Sequence, residues 1–173
     1  MELFESLKQK ISGQNKTIVF PEGEDVRIIG AASRLAADGL VKPILLGDQD
    51  KIKQVAAEHQ IDISTLSISN PLTVPEDEKQ KLLDALVARR KGKNTPEQAA
   101  EMLKDPNYWG TMLVFLDEAD GMVSGAIHPT GDTSAQLYRL LRPNLGLNES
   151  VAHSSCKKAT NGTFLPIVPS ILN

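Results

Sequence analysis

The residues best suited to chemistry crowd into one stretch, Asp120-Gly-Met-Val-Ser124-Gly125-Ala-Ile-His128-Pro-Thr130-Gly131-Asp132-Thr133. Ser124 and Thr130 bring hydroxyl donors, and Gly125 and Gly131 allow the main chain to approach a ligand closely. An apolar run precedes the loop and a helix start follows it, giving strand, loop and helix in sequence. In open parallel sheets ligands bind outside the carboxyl ends of the strands. A helix N-terminus there favours an anion such as phosphate. The same residues also read as an ordinary turn, with Asp132 as a helix cap and His128 as a hydrogen-bonded turn residue. Spacing alone does not separate the two readings.

Two charged segments could border the same place. Arg89-Arg90-Lys91-Gly92-Lys93 follows a helical stripe. Positive charge at a helix C-terminus stabilises it by about 0.3–1 kcal/mol per charge. An arginine there could instead grip phosphate oxygens in a bidentate fork. Phe20-Pro21-Glu22-Gly23-Glu24-Asp25 offers an N-cap for the next helix, or an acidic border to the crevice. His59 reads as solvent-facing, whereas Trp109, Phe115 and the methionines read as core. The sequence contains no CxxC, HExxH or Walker glycine loop, so it offers no metal site and no nucleotide-hydrolysis motif.

The elements that must position these residues follow from periodicity. Leu3, Phe4, Leu7 and Ile11 repeat at helical spacing before Gly13. Lys16 to Phe20 is a β-branched strand closed by Pro21. A helix through Ile28, Ile29, Ala32, Leu35 and Ala36 follows, capped by Glu24 or Asp25 and ended near Gly39. Val41 to Leu46 is a second strand, Ile52 to Ala56 lies in another helix, and Leu66 to Ile68 is a weak third strand. Residues 72 to 118 read as mostly helical. Leu82, Leu83, Leu86 and Val87 form one stripe, Thr95-Pro96-Glu97-Gln98 spells a capping box, and a helix holds Trp109 to Leu116. Gly121 to Gly125 reads as a short buried strand, and Leu137, Leu140 and Leu141 as a last helix stopped by Pro143. Strands alternating with helices predict an α/β fold: a parallel sheet with helices on both faces.

With 40% apolar and 24% charged residues, the 173-residue chain can bury one sizeable core. A net charge of -3 gives no footprint for nucleic acid or an anionic membrane. No apolar run approaches the ~20 residues of a membrane helix. The acidic start Met1-Glu2-Leu3-Phe4-Glu5 is not a secretory signal, and the single Cys156 cannot form an intramolecular disulfide. Together these features predict a cytoplasmic protein.

Lys16 to Ala32, centred on Phe-Pro-Glu-Gly-Glu-Asp, resembles the N-terminal signature of bacterial phosphate acetyltransferases. Arg89-Arg-Lys-Gly-Lys with the capped helix after it is similar to that family's middle segment, and Tyr108-Trp-Gly-Thr-Met-Leu-Val to its next block. Glu118 to Thr133 resembles the most specific block of its first half. The resemblance covers about residues 1 to 133. It implies the first half of a two-domain fold with the active site in the interdomain cleft, usually in a homodimer. It further implies transfer of acetyl between acetyl-CoA and phosphate by direct attack, with coenzyme A as substrate and no other cofactor. By matching position Arg90 contacts the substrates, and Ser124, Gly125, His128, Thr130 and Asp132 lie in the cleft loop. The family's catalytic cluster falls in the other half, so catalytic residues stay unknown and this chain alone is expected to be inactive. Phosphate butyryltransferases share the fold. A butyryl-type acyltransferase and a non-catalytic half-domain binding phosphate or CoA are therefore the alternatives.

After Asp132-Thr133 the family continues Val-Arg-Pro, whereas here the arginine's position is Ala135. Residues 134–173 read as a poorly ordered tail outside the family, with little periodicity and two late prolines, Pro166 and Pro169. Codons built from the third base of one codon and the first two of the next restore a family-like reading. Thr133 to Leu147 then permits Val-Arg-Pro-Ala-Leu-Gln-Ile-Ile-Lys-Thr-Lys-Pro-Gly-Val-Lys, and the agreement continues to Ile171. This predicts a one-base frameshift near codon 133.

Overall fold

β1 (Lys16–Phe20) lies inside a four-stranded parallel sheet, flanked by β2 (Val41–Leu46) and β4 (Gly121–Met122), with β3 (Ser67–Ser69) beyond β2. The computed structural model describes residues 2–91, 93–127, 155–156 and 165–166. The helices are α1 (Glu2–Ile11), α2 (Val26–Ala37), α3 (Gln49–Glu58), α4 (Glu76–Arg90), α5 (Pro96–Met102) and α6 (Pro106–Phe115). The register pairs Val19 with Ile44 on one side and with Met122 on the other. β5 (Ser155–Cys156) and β6 (Leu165–Pro166) pair antiparallel. The expected poorly ordered tail and the expected helix through Leu137, Leu140 and Leu141 otherwise fall outside the described residues.

Alternation along the strands builds two cores. Val19 and Leu46 point to one face, where Leu82 and Leu86 of α4, Ala99 of α5 and Trp109 and Met112 of α6 cover them. Phe20 and Leu45 point to the other, against Ile29 and Ala32 of α2 and Ile52 and Ala56 of α3. The expected α/β class, a parallel sheet with helices on both faces, is thus the observed one.

Local chemistry sets the helix starts. Asp25, Asp48 and Asp105 each accept main-chain N–H groups as N-caps. At Thr95 the capping box closes in both directions, with Pro96 in the first turn. Two details differ from expectation. Only Gly121 and Met122 pair as β4, and both are half-buried rather than buried. Leu116 caps α6 instead of lying within it.

Candidate functional site

The strand order β3-β2-β1-β4 reverses direction between β1 and β4. The chain moves outward from β1 to β3, then returns through α4, α5 and α6 to the opposite side. Crevices for ligands open at such a point, outside the carboxyl ends of the two strands. Two loops meet there: 21–25 after β1 and 123–127 after β4.

The first loop is pressed onto the end of β2. Gly23 N donates to Leu46 O at 3.0 Å, and a Cβ at this position would lie 2.6 Å from that oxygen and 2.9 Å from Leu45 Cβ. That close approach requires glycine and fixes where its neighbour Glu22 can reach. Glu22 is buried, 4% exposed. Its Oε2 accepts from Gly125 N at 3.0 Å and Ala126 N at 2.7 Å, and its Oε1 accepts from Ile127 N at 2.8 Å. The acidic segment therefore serves both roles read from its sequence. Glu22 borders the crevice, while Asp25 caps α2 by accepting from Arg27 N at 2.8 Å.

Arg27 links the two loops a second time. Its Nε and Nη2 donate to the Asp25 carboxylate at 2.9 and 2.7 Å, and Nη2 also donates to Ala126 O at 3.0 Å. The hydrogen bonds from the Arg27 side chain are the main cause that lowers the Asp25 carboxyl to about 2; burial opposes them, and main-chain N–H groups assist.

Within the second loop, Gly125 has φ of +123°, with nothing within 4 Å of where a Cβ would stand. Backbone conformation rather than space demands glycine here. Ser124 Oγ donates to Asn107 Oδ1 at 2.9 Å. Asn107 is 1% exposed in the first turn of α6, and its carbonyl accepts from Thr111 Oγ1 at 2.7 Å. α6 lies close to the sheet because residue 110 is glycine: a Cβ there would stand 2.8 Å from Met122 Sδ and 3.1 Å from Val19 Cγ1. Val123 and Ile127 expose apolar side chains on either side of this anchored segment.

Of the residues read from the sequence, the structure brings Ser124 and Gly125 together at the crevice. Arg90 ends α4, and its Nε donates to Asn94 Oδ1 at 2.7 Å. Arg89 holds its guanidinium 5.5 Å from the Phe115 ring centroid, a cation–π contact. Both charges stand in the last turn of α4, as the dipole argument expects. His128, Thr130 and Asp132 lie outside the described residues. Glu22 and Asn107 as loop anchors were not singled out by sequence reasoning. Among the described residues the hydrogen-bond partner of Ser124 Oγ is an amide oxygen, Asn107 Oδ1, and not a general base. Among the described residues no group of three or more His, Cys, Asp or Glu could hold a metal, and no helix is long and apolar enough to cross a membrane.

A doubly wound α/β sheet with a glycine loop at its switch point is the class these features define. The phosphate acetyl/butaryl transferase family model matches residues 2–159, and the chain belongs to that family. The match reaches past Thr133. A phosphate acetyltransferase of Staphylococcus aureus is 45% identical over 149 residues, which cover 86% of this chain and 45% of that protein. One from Staphylococcus epidermidis is 44% identical over the same length. Among solved structures, the EutD phosphotransacetylase from Staphylococcus aureus superposes with a TM-score of 0.78 at 45% identity, covering 86% of this chain and 44% of that one. A phosphotransacetylase from Streptococcus pyogenes gives 0.76 at 43% identity, covering 80% and 42%. The chain thus spans less than half the length of these relatives.

Proposed function

We propose that this chain forms one wall of a phosphate acetyltransferase cleft, in which acetyl passes between coenzyme A and inorganic phosphate. The observation that carries this reading is its 45% identity to a phosphate acetyltransferase across 86% of the chain. The relatives cited above are named for acetyl or phosphotransacetylase activity, which favours acetyl over butyryl. In the reaction a phosphate oxygen attacks the thioester carbonyl, a tetrahedral oxyanion forms, and the C–S bond breaks to release the coenzyme A thiolate. Both the oxyanion and the thiolate need positioned donors. The donors of the described glycine loop are engaged within the chain. Ser124 donates to Asn107, and the N–H groups of residues 125–127 point at Glu22. In this reading the oxyanion and thiolate donors come from across the cleft, and Arg90, Ser124, Gly125, His128, Thr130 and Asp132 form the substrate side of this wall. The reading includes acetyl-CoA and phosphate as substrates, no resident cofactor or metal, a cytoplasmic setting and a homodimeric assembly.

Two assays of acetyl-CoA formation from acetyl phosphate and coenzyme A test it. The purified chain alone should give no turnover above background. A chimera carrying residues 1–127 in place of the matching segment of the Staphylococcus aureus enzyme should be active. A chimera that unfolds cooperatively yet transfers no acetyl group would overturn the proposal, as would robust turnover by the chain alone.

A further inference from the structure

We propose that Glu22 is a built-in anion: its carboxylate fills the main-chain cradle formed by Gly125, Ala126 and Ile127, fixes the loop's path, and keeps free anions such as phosphate out of that cradle. Three successive N–H groups converging on one point make the concave nest that ordinarily receives a phosphate or other anion. Here the point is already occupied, by carboxylate oxygens 2.7 to 3.0 Å from the three nitrogens. Carboxylates are rarely buried to this extent unless charge-assisted bonds satisfy them. At 4% exposure Glu22 meets that condition through this loop.

The clamp is stiff on both sides. Gly23, next to Glu22, is tied to the end of β2 by its N–H to Leu46 O at 3.0 Å and packs too closely there for any side chain. Arg27 holds Ala126 by its carbonyl while Glu22 holds it by its N–H. An incoming phosphate would have to displace a buried carboxylate from three charge-assisted hydrogen bonds, at a desolvation cost. The glycine loop read from the sequence as an anion cradle is therefore self-filled in its first part. A substrate anion must sit elsewhere on the wall or across the cleft. Glu22 acts as a positioning residue for the loop that runs on toward His128. This inference rests on the loop geometry and stands apart from the identity of the transferred group.

The full chain, labelled with nitrogen-15, provides the test. In the wild type, the amide signals of Gly125, Ala126 and Ile127 should not move as inorganic phosphate is added at constant ionic strength. In Glu22→Ala, the same three signals should shift saturably with phosphate or acetate and not with chloride. In Glu22→Gln, hydrogen exchange at the three amides should rise about tenfold or more, reflecting loss of charged acceptors, with Val19 and Leu45 unchanged. Movement of the wild-type signals with phosphate would overturn the proposal. So would a Glu22→Ala chain that responds equally to chloride. Should Glu22→Ala fail to fold, unaltered exchange in Glu22→Gln overturns it and accelerated exchange confined to the loop supports it.

Discussion

Glu22 and Asp120 tie the same two strands together from opposite ends. Glu22, just past β1, accepts N–H groups from the loop that follows β4. Asp120, just before β4, accepts from Thr17 N at 2.8 Å and from Lys16 Nζ at 2.7 Å, both in β1. Between them β4 contributes only two paired residues. A two-residue ladder is a weak attachment for an edge strand, so the carboxylates do much of the fastening.

Acid should loosen the Asp120 tie and the Asp25–Arg27 pair beside the other loop. The Lys16 side chain, followed by the Thr17 N–H, holds the Asp120 carboxyl below its ordinary range. Arg27 holds Asp25 lower still, at about 2. A depressed folded-state pKa means stability that is complete above the unfolded value of about 3.9 and lost as pH falls through the folded one. Asp120→Asn and Asp25→Asn should therefore lower Tm near neutrality. For Asp25 the gap from wild type should close between pH about 4 and about 2. Thermal melts at stepped pH check this, and a gap that widens on acidification would contradict it.

Two glycines should differ sharply in tolerance. Gly23→Ala drives a methyl against main-chain Leu46 O, so a cost of about 1–3 kcal/mol or more is expected. Gly110→Ala meets chiefly Met122 Sδ, the movable end of a side chain, and gains about 1 kcal/mol of helix propensity. Urea unfolding should rank Gly23→Ala clearly below Gly110→Ala.

Ser124→Ala should destabilise the chain by about 1–3 kcal/mol, because Asn107 Oδ1 is left buried without its donor. Ser124→Ala combined with Asn107→Leu should cost less than the sum of the two single changes. Denaturation of all four variants measures the coupling, and strict additivity would show that the contact contributes nothing.

Sequencing the gene across codon 133 should reveal a one-base change beyond which the shifted frame reads Val-Arg-Pro-Ala-Leu and onward to Ile171. Restoring that frame should return an arginine to the third position after Asp132. A gene whose shifted frame lacks this reading would assign residues 134 to 159 to the family as they stand, in keeping with a match that runs to residue 159.

Much of the scaffold was legible because its signals are local. The β-branched run before Pro21, the Asp25 cap and the Thr95-Pro96-Gln98 box each declare themselves within a few residues. β4 proved shorter than its apolar run suggested, since its neighbour β1 stops at Phe20 and Pro21 has no N–H to offer. Arg90 read two ways, and its observed partner Asn94 is four residues along the chain. Glu22 looked like one acid among three. Its role depends on amides 103 to 105 positions away, and no spacing rule links such distant residues. Asn107 looked like a helix-start residue, and only the fold brings Ser124 to it.

The wide separation between β1 and β4 also bears on how the chain is made. β1 can pair with β2 soon after both leave the ribosome, whereas Met122 must wait for roughly 75 further residues, about 4–15 s at ordinary synthesis rates. Throughout that interval one side of a central strand presents unpaired N–H and C=O groups, a template for any passing extended segment. Translation speed between codons 47 and 121, and chaperone access during it, thus become determinants of yield for this sequence.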